Sequence, residues 1–381
     1  MPSIPYLKKK IGSSYLVWFK NSDSYLQMEE PAWFVFRKTT QRYKPGTIAE
    51  EFAIRYGIPP EESLRFVKDI RLEIDKMNQV NKAPNRLEHL PQGLSDFTFQ
   101  PYSLRRYQIG GQWLDFSFQT RNFEYYIHPL IGHFETTETN KKAAHFELFA
   151  FADKIVFRLN GEVKGLWTTD ETHLVKGQLF MEMINHLHGK TNADWLMTVH
   201  ASAITNGEKT ILFSAPPNHG KTTMAALLQD RGYKLISDDF VPIDRHSLKA
   251  YPLPIAMSVK QTSMEVVGSL LPGLEEKPLN YISPEKSVRY HAPKLQTDFT
   301  ADVLPVHAFV FIHYHPSVDF NWEKLDAVRA MKFLLDQSWI LPNEGNAEIL
   351  FERITRLSFY HLTYSNNEKA MEAITQLFDH D

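Results

Sequence analysis

Residues 211–223, Ile-Leu-Phe-Ser-Ala-Pro-Pro-Asn-His-Gly-Lys-Thr-Thr, run an apolar strand straight into a phosphate-binding loop. The pattern for such a loop is G-x-x-x-x-G-K-[ST] between a strand and a helix. Ala215 stands where the first glycine is usual, and Gly220, Lys221 and Thr222 complete the spacing. Thr210 to Phe213 reads as the strand. Thr223 to Gln229 reads as the helix, apolar at Met224, Ala225, Leu227 and Leu228. Backbone N–H groups of such a loop converge on phosphate oxygens, and the helix start adds partial positive charge. Lys221 is the mobile charge for β- and γ-phosphates, and Thr222 the hydroxyl for Mg²⁺. Asn218 suits a left-handed backbone, which few residues other than glycine tolerate. The expected nucleotide-binding set is therefore Ala215, Asn218, His219, Gly220, Lys221, Thr222 and Thr223.

Downstream, Gly232 ends the helix and Lys234 to Ser237 form a short buried strand that delivers Asp238 and Asp239 at its C-terminal end. Ligands of open α/β sheets bind at that end. Adjacent carboxylates on an extended chain point to opposite sides, so one can face Mg²⁺ and the other a substrate hydroxyl.

The chain has 381 residues, enough for two or three domains, and 43% hydrophobic residues supply real cores. A formal net charge of −3 does not favour nucleic-acid binding. The absence of cysteine excludes disulfides, thiolate metal sites and cysteine nucleophiles. Lys8, Lys9 and Lys10 are not followed by an apolar signal segment, and no run has membrane-spanning length. A cytoplasmic protein with no membrane partner is expected, and a homo-oligomer is compatible with the composition.

Residues 1–78 read as a separate unit. It has a strand pair, Tyr15 to Lys20 and Ser24 to Met28, and helices over Pro31 to Lys38, Thr47 to Tyr56 and Pro60 to Met77. This predicts a small winged-helix-like α+β domain. Residues 79–97 lack periodicity and read as a linker. Residues 98–168 are β-rich, with a hairpin turn at Asn160-Gly161, and Asp170 to His188 is helical. Trp195 to Ile204 reads as one buried strand before a turn at Asn206-Gly207. Residues 245–302, with five prolines up to Pro284, read as loops facing a substrate. Val306 to Tyr314 is a strand, Leu325 to Leu335 and Asn346 to Leu357 are helical, and Phe359 to Tyr364 with Asn367 to Phe378 close the chain as strand and helix. His307, His313 and His315 share one strand without a nearby carboxylate or cysteine, so a structural role is expected. Lys260 and Arg289 suit a phosphate chemically, with solvated positions as the expectation.

The ordered set His200-Ala201-Ser202-Ala203, Ala215 to Thr222 and Leu235 to Asp239 resembles the catalytic domain of the HPr kinase/phosphorylase family, specifically over about residues 195–245. His200 precedes Lys221 by 21 residues (200 to 221), and Asp238 follows it by 17 (221 to 238). The resemblance implies an α/β P-loop kinase domain over 98–381, with a mixed central sheet and flanking helices. It implies ATP and Mg²⁺ as cofactors. Lys221 and Thr222 would bind phosphates and metal, Asp238 would be the base toward an acceptor hydroxyl, and Asp239 would sit on the metal, the last two roles being exchangeable. His200 would lie beside the pair and tune it. The family's glycine-containing segment after the aspartates is not recognisable, which leaves the acceptor unassigned.

Residues 1–78 resemble the PqqD-like peptide-binding domains, through the aromatic hairpin at Tyr15 to Tyr25 and the helix pair running from Gly46-Thr47 to Gly57-Ile58-Pro59-Pro60. That resemblance implies an extended peptide added to a sheet edge. Together the two imply an ATP-dependent kinase acting on a Ser/Thr-type hydroxyl of a peptide or protein, a precursor peptide among the candidates. A small-molecule kinase and a non-catalytic ATP-sensing module remain the alternatives.

Overall fold

Local patterning accounts for most of the elements in the computed structural model, which describes residues 4–79, 86–88, 90–283, 286–293 and 303–379. Two compact units emerge. The first comprises Met1–Pro84 together with Leu325–Leu335 and Ile340–Ser358, and the second the remainder. Both are mixtures of helix and sheet, so the molecule is of the α/β class.

In the first unit, β1 (Tyr6–Ile11), β2 (Ser14–Phe19) and β3 (Ser24–Glu29) form an antiparallel sheet in that order. Helices α1 (Glu30–Thr40), α2 (Pro45–Tyr56) and α3 (Pro60–Met77) follow. Each has proline in its first turn, where no helical N–H is needed, and α2 stops at Gly57 in a left-handed conformation. The expected hairpin is therefore a three-stranded sheet. Its first strand was hidden by the lysine run: Lys8 and Lys10 lay their stems beside aromatic rings, with ammonium groups 4.7 Å and 5.4 Å from the Trp33 and Tyr15 ring centres. Val17, Phe19, Met28, Trp33, Phe36 and Ile74 make the core beneath the sheet. The helix Glu344–Arg353 returns from far along the chain to complete this unit, with Phe351 against the ring of Tyr25 and Glu344 paired with Lys20.

Of the expected linker, residues 80–85 and 89 lie outside the described residues. The second unit then begins with a five-stranded sheet in chain order: β4 (Ser103–Ile109), β5 (Gln112–Phe118), β6 (Ala144–Phe151), β7 (Lys154–Leu159) and β8 (Glu162–Trp167). Strands β5 and β6 run parallel, joined through helix α4 (Arg121–Ile131). That helix was not legible, because Pro129 lies inside it; Thr120 caps it, and Ile127, Leu130 and Ile131 bury its apolar face. Asn160 and Gly161 both take positive φ at the β7–β8 hairpin, as a tight primed turn requires.

After helix α5 (Thr172–His188), the expected single strand over 195–204 is two strands, β9 (Trp195–Val199) and β10 (Ala201–Thr205), which break at His200. They carry different ladders: β9 pairs with β13 (Val241–Asp244), and β10 pairs with β11 (Thr210–Ser214) and β12 (Lys234–Ser237). The helix that follows the Ala215–Gly220 loop is α6 (Lys221–Asp230). The central sheet continues from β11 to a parallel neighbour, β18 (Leu304–Tyr314), which also pairs with β14 (Lys249–Ala250) and the strand Ser358–Tyr364. The described part of the stretch 245–302 holds more regular structure than its prolines indicated. Within it, β15 (Met257–Lys260), β16 (Asn280–Ser283) and β17 (Lys286–His291) form a separate three-stranded sheet in the order β15-β17-β16. Residues 284–285 and 294–302 of that stretch lie outside the described residues. Apolar side chains of α6, β11, β18, the strand Ser358–Tyr364 and the final helix Asn367–Asp379 form one core beneath the loop.

Candidate active site

The loop from Ala215 to Thr222 sits at the C-terminal end of β11 and opens onto the N-terminus of α6. Its conformation depends on two positive-φ residues, Asn218 at 72° and Gly220 at 96°. A Cβ on Gly220 would lie 2.8 Å from the hydroxyl of buried Tyr364, so this position admits no side chain. Ala215 is buried and has no positive φ, so alanine there carries no backbone strain. The ammonium of buried Lys221 folds back on the loop, donating to the Ala215 carbonyl at 2.6 Å and the Pro216 carbonyl at 3.4 Å. Burial lowers its pKa, against the opposing pull of Asp239 and Asp238.

The two aspartates have separate environments. Asp238 is buried; it accepts hydrogen bonds from Thr222 Oγ1 at 3.1 Å and from Ser202 Oγ. Burial and the neighbouring Asp239 charge push its carboxyl up to about 6, opposed by those hydroxyls and by Lys221. Asp239 turns into the left-handed region at φ 76°, which swings its half-exposed carboxylate away from Asp238. It meets His200 Nε2 at 2.8 Å. The surrounding protein pushes the Asp239 carboxyl up. The hydrogen bond and charge of His200, with the charges of Lys176 and Lys221, outweigh that effect and hold it well below the usual carboxylate range.

His200 owes this position to the β9–β10 break. Its backbone N–H leaves the ladder to donate to Gln337 O at 2.8 Å, and its Nδ1 lies 3.2 Å from Gln337 Oε1. The ring is thus clamped from one side and points its other nitrogen at Asp239. Gln337 had no motif to announce it.

Three further lysines surround the pair. Lys260, on the small sheet, donates to the Asn218 side chain. Lys176 of α5 stands one turn before Phe180, which packs edge-on against Phe240, the residue after Asp239. Burial lowers the Lys176 pKa and Asp239 raises it, while Lys286 adds positive charge close to Lys176, Lys221 and Lys260. Arg289 is instead occupied by the Lys277 carbonyl and Gln261. Thr223 meets Ser263 at 3.3 Å. His219 stacks toward His313 with ring centres 4.7 Å apart.

The structure therefore brings Lys221, Thr222, Asp238, Asp239 and His200 to one end of the central sheet. It places Thr222 with Asp238 rather than with Asp239. Lys176, Ser202, Gln337 and Lys286 join them, and none belongs to a local pattern. Among the described residues, no three or more His, Asp or Glu side chains gather as a metal-holding group. A Mg²⁺ that borrows phosphate oxygens and water needs only one carboxylate and a hydroxyl from the protein, and Thr222 with Asp238 fits that requirement. Among the described residues, no helix is long and apolar enough to cross a membrane. No protein-family model matches the chain, and no curated protein matches it.

Proposed function

We propose that the chain is an ATP- and Mg²⁺-dependent phosphotransferase of the HPr-kinase type, acting on a hydroxyl of a peptide or protein. The observation that carries this reading is the division of labour between two adjacent carboxylates. Asp238 meets the phosphate-loop hydroxyl of Thr222, and Asp239 meets His200. When bound, ATP with Mg²⁺ supplies a γ-phosphoryl group whose transfer to the acceptor oxygen releases ADP. Thr222 and Asp238 would hold the metal, exchanging the two aspartates' roles relative to the sequence expectation. Lys221 would leave the Ala215 and Pro216 carbonyls for phosphate oxygens, a move along a flexible stem. Asp239, ionised and half-exposed, would orient the acceptor hydroxyl and take its proton, with His200 fixing the carboxylate. Lys260 and Lys286 would neutralise charge on the phosphates, where most of the catalysis of such transfers lies.

The first unit supports a peptide acceptor. Among the described residues, β1 and β3 each pair with β2 and no other strand, so the sheet ends in two strand edges of the kind a peptide strand extends. The test is incubation of the full chain with ATP, Mg²⁺ and serine-containing peptides encoded beside it, followed by mass spectrometry. A fall in phosphate transfer of roughly 10²–10⁴ in Asp239→Asn is expected. Transfer at the wild-type rate in Asp239→Asn removes the assigned base, and absence of ATP binding in the wild type removes the reading.

A further inference from the structure

The aspartates and their metal-binding hydroxyl occupy one flank of the phosphate loop, and the opposite flank carries a different chemistry. Strand β11 lies between β10, on the side of β12 and Asp238, and β18 on the other side. Because β18 runs parallel to β11, with Ser214 opposite Phe311, its last residues reach the loop. Tyr314 N–H donates to the His219 carbonyl at 3.2 Å and ties them together. His313 and His315 share one face of β18 and meet edge to face with ring centres 5.6 Å apart, while the His219 ring lies 4.7 Å from that of His313. His219 and His313 are partly exposed and His315 is exposed. The result is a shelf of three imidazole rings with no carboxylate among the three.

We propose that this shelf is a nucleobase-binding subsite, which receives the adenine ring of the nucleotide. This rests on the phosphotransferase reading above. A triphosphate whose metal end lay against Thr222 and Asp238 would extend past the start of α6 and place its nucleoside on the far flank, where β18 ends. Lys260 and Lys286, at the ends of two strands of the small sheet, suit phosphate oxygens and offer no ring surface for a base. The histidine rings offer π faces, and stacking on them needs no sequence of hydrogen bonds. Burial and the adjacent histidines lower the His313 pKa, which keeps its ring neutral at pH 7. His219 Nδ1 lies 2.9 Å from the Pro217 carbonyl, so that nitrogen carries the proton and donates. In the neutral ring its Nε2 is an acceptor, the partner that the exocyclic amino group of adenine requires.

The experiment compares Mg²⁺-ATP with Mg²⁺-tripolyphosphate, which has the phosphates without the base, by calorimetry on the full chain. In the wild type ATP binds more tightly. In His313→Ala, ATP affinity falls roughly tenfold, the size of one base–aromatic stack, while tripolyphosphate affinity holds. His313→Phe, which keeps a ring, restores ATP binding. Equal losses for both ligands, unchanged ATP affinity in His313→Ala, or a wild type that binds the two ligands alike would overturn the subsite and leave the phosphate site standing. A wild type that binds neither ligand overturns the phosphotransferase reading and the subsite with it.

Discussion

The Thr222 hydroxyl donates to the carboxylate of Asp238 across 3.1 Å, joining the first turn of the loop helix to the end of a strand 16 residues later. Asp238 is buried there with a raised pKa, so its charge is held at a cost to the fold.

That cost sets a stability prediction. A carboxyl raised to about 6 in the folded state, against 3.8 ordinarily, contributes stability that is complete below its unfolded value and lost as pH rises through 6. Asp238→Asn removes the penalty. The ligand-free variant is expected to gain about 2–3 kcal/mol at pH 7–8. The gain shrinks below pH 6 and vanishes near pH 4, while Mg²⁺-dependent ATP binding is lost. Thermal unfolding across that pH range, with parallel calorimetry, measures both.

Asp239→Asn keeps a residue that tolerates positive φ, so the fold is retained. Phosphate transfer should fall by roughly 10²–10⁴, the usual contribution of a positioned base. His200→Ala should cost less, because the carboxylate remains. Single-turnover kinetics at saturating ATP separate these effects from binding.

Two loop substitutions have opposite expectations. Ala215→Gly should leave ATP affinity within about twofold, since residue 215 has no positive φ to relieve. Gly220→Ala forces a Cβ into the Tyr364 hydroxyl at positive φ and should abolish ATP binding. Strong improvement in Ala215→Gly would mean that the alanine disables the loop.

Asp244 anchors the other end of the central sheet. Its carboxylate receives Lys190 Nζ at 2.7 Å, Ser247 N at 2.6 Å and Ser247 Oγ at 2.7 Å. Burial pushes this carboxyl up, but Lys190 and Ser247 outweigh it and bring it to about 2. A depressed carboxyl contributes stability that is present above its unfolded value and lost as pH falls through its folded one. The loss should therefore run between pH 4 and 2 and be missing in Asp244→Ala, which costs about 3 kcal/mol at pH 7 by removing the carboxylate partner of Lys190 and Ser247. Urea titrations at several pH values test this.

Removing residues 1–78 should not leave a cleanly folded remainder. The helix Glu344–Arg353 packs with β1 and places Phe351 on Tyr25, so truncation uncovers the buried Phe351. Aggregation or dye binding to exposed apolar surface is expected, and a soluble, monodisperse truncation would contradict it. Substitutions on the edges of β1 and β3 are the better probes of peptide recruitment.

The amino-acid sequence alone determined the loop, its strand and helix, the aspartates at a strand end and the three N-terminal helices. Each is encoded within a dozen or so neighbouring residues, by spacing, capping and hydrophobic period. Asn218 was readable as a left-handed position for the same reason. Tertiary structure decided what lies far apart in the chain. Gln337 reaches His200 across 137 residues, and the helix Glu344–Arg353 completes the N-terminal unit. The break at His200 was invisible because Trp195 to Ile204 is apolar almost throughout, and apolar character reports burial without saying which ladder a residue joins. The partner of Thr222 was undecided for a similar reason. Alternation along a strand separates two adjacent carboxylates, but only the left-handed turn at Asp239 and the packing of β12 beside β10 determine which one faces the loop.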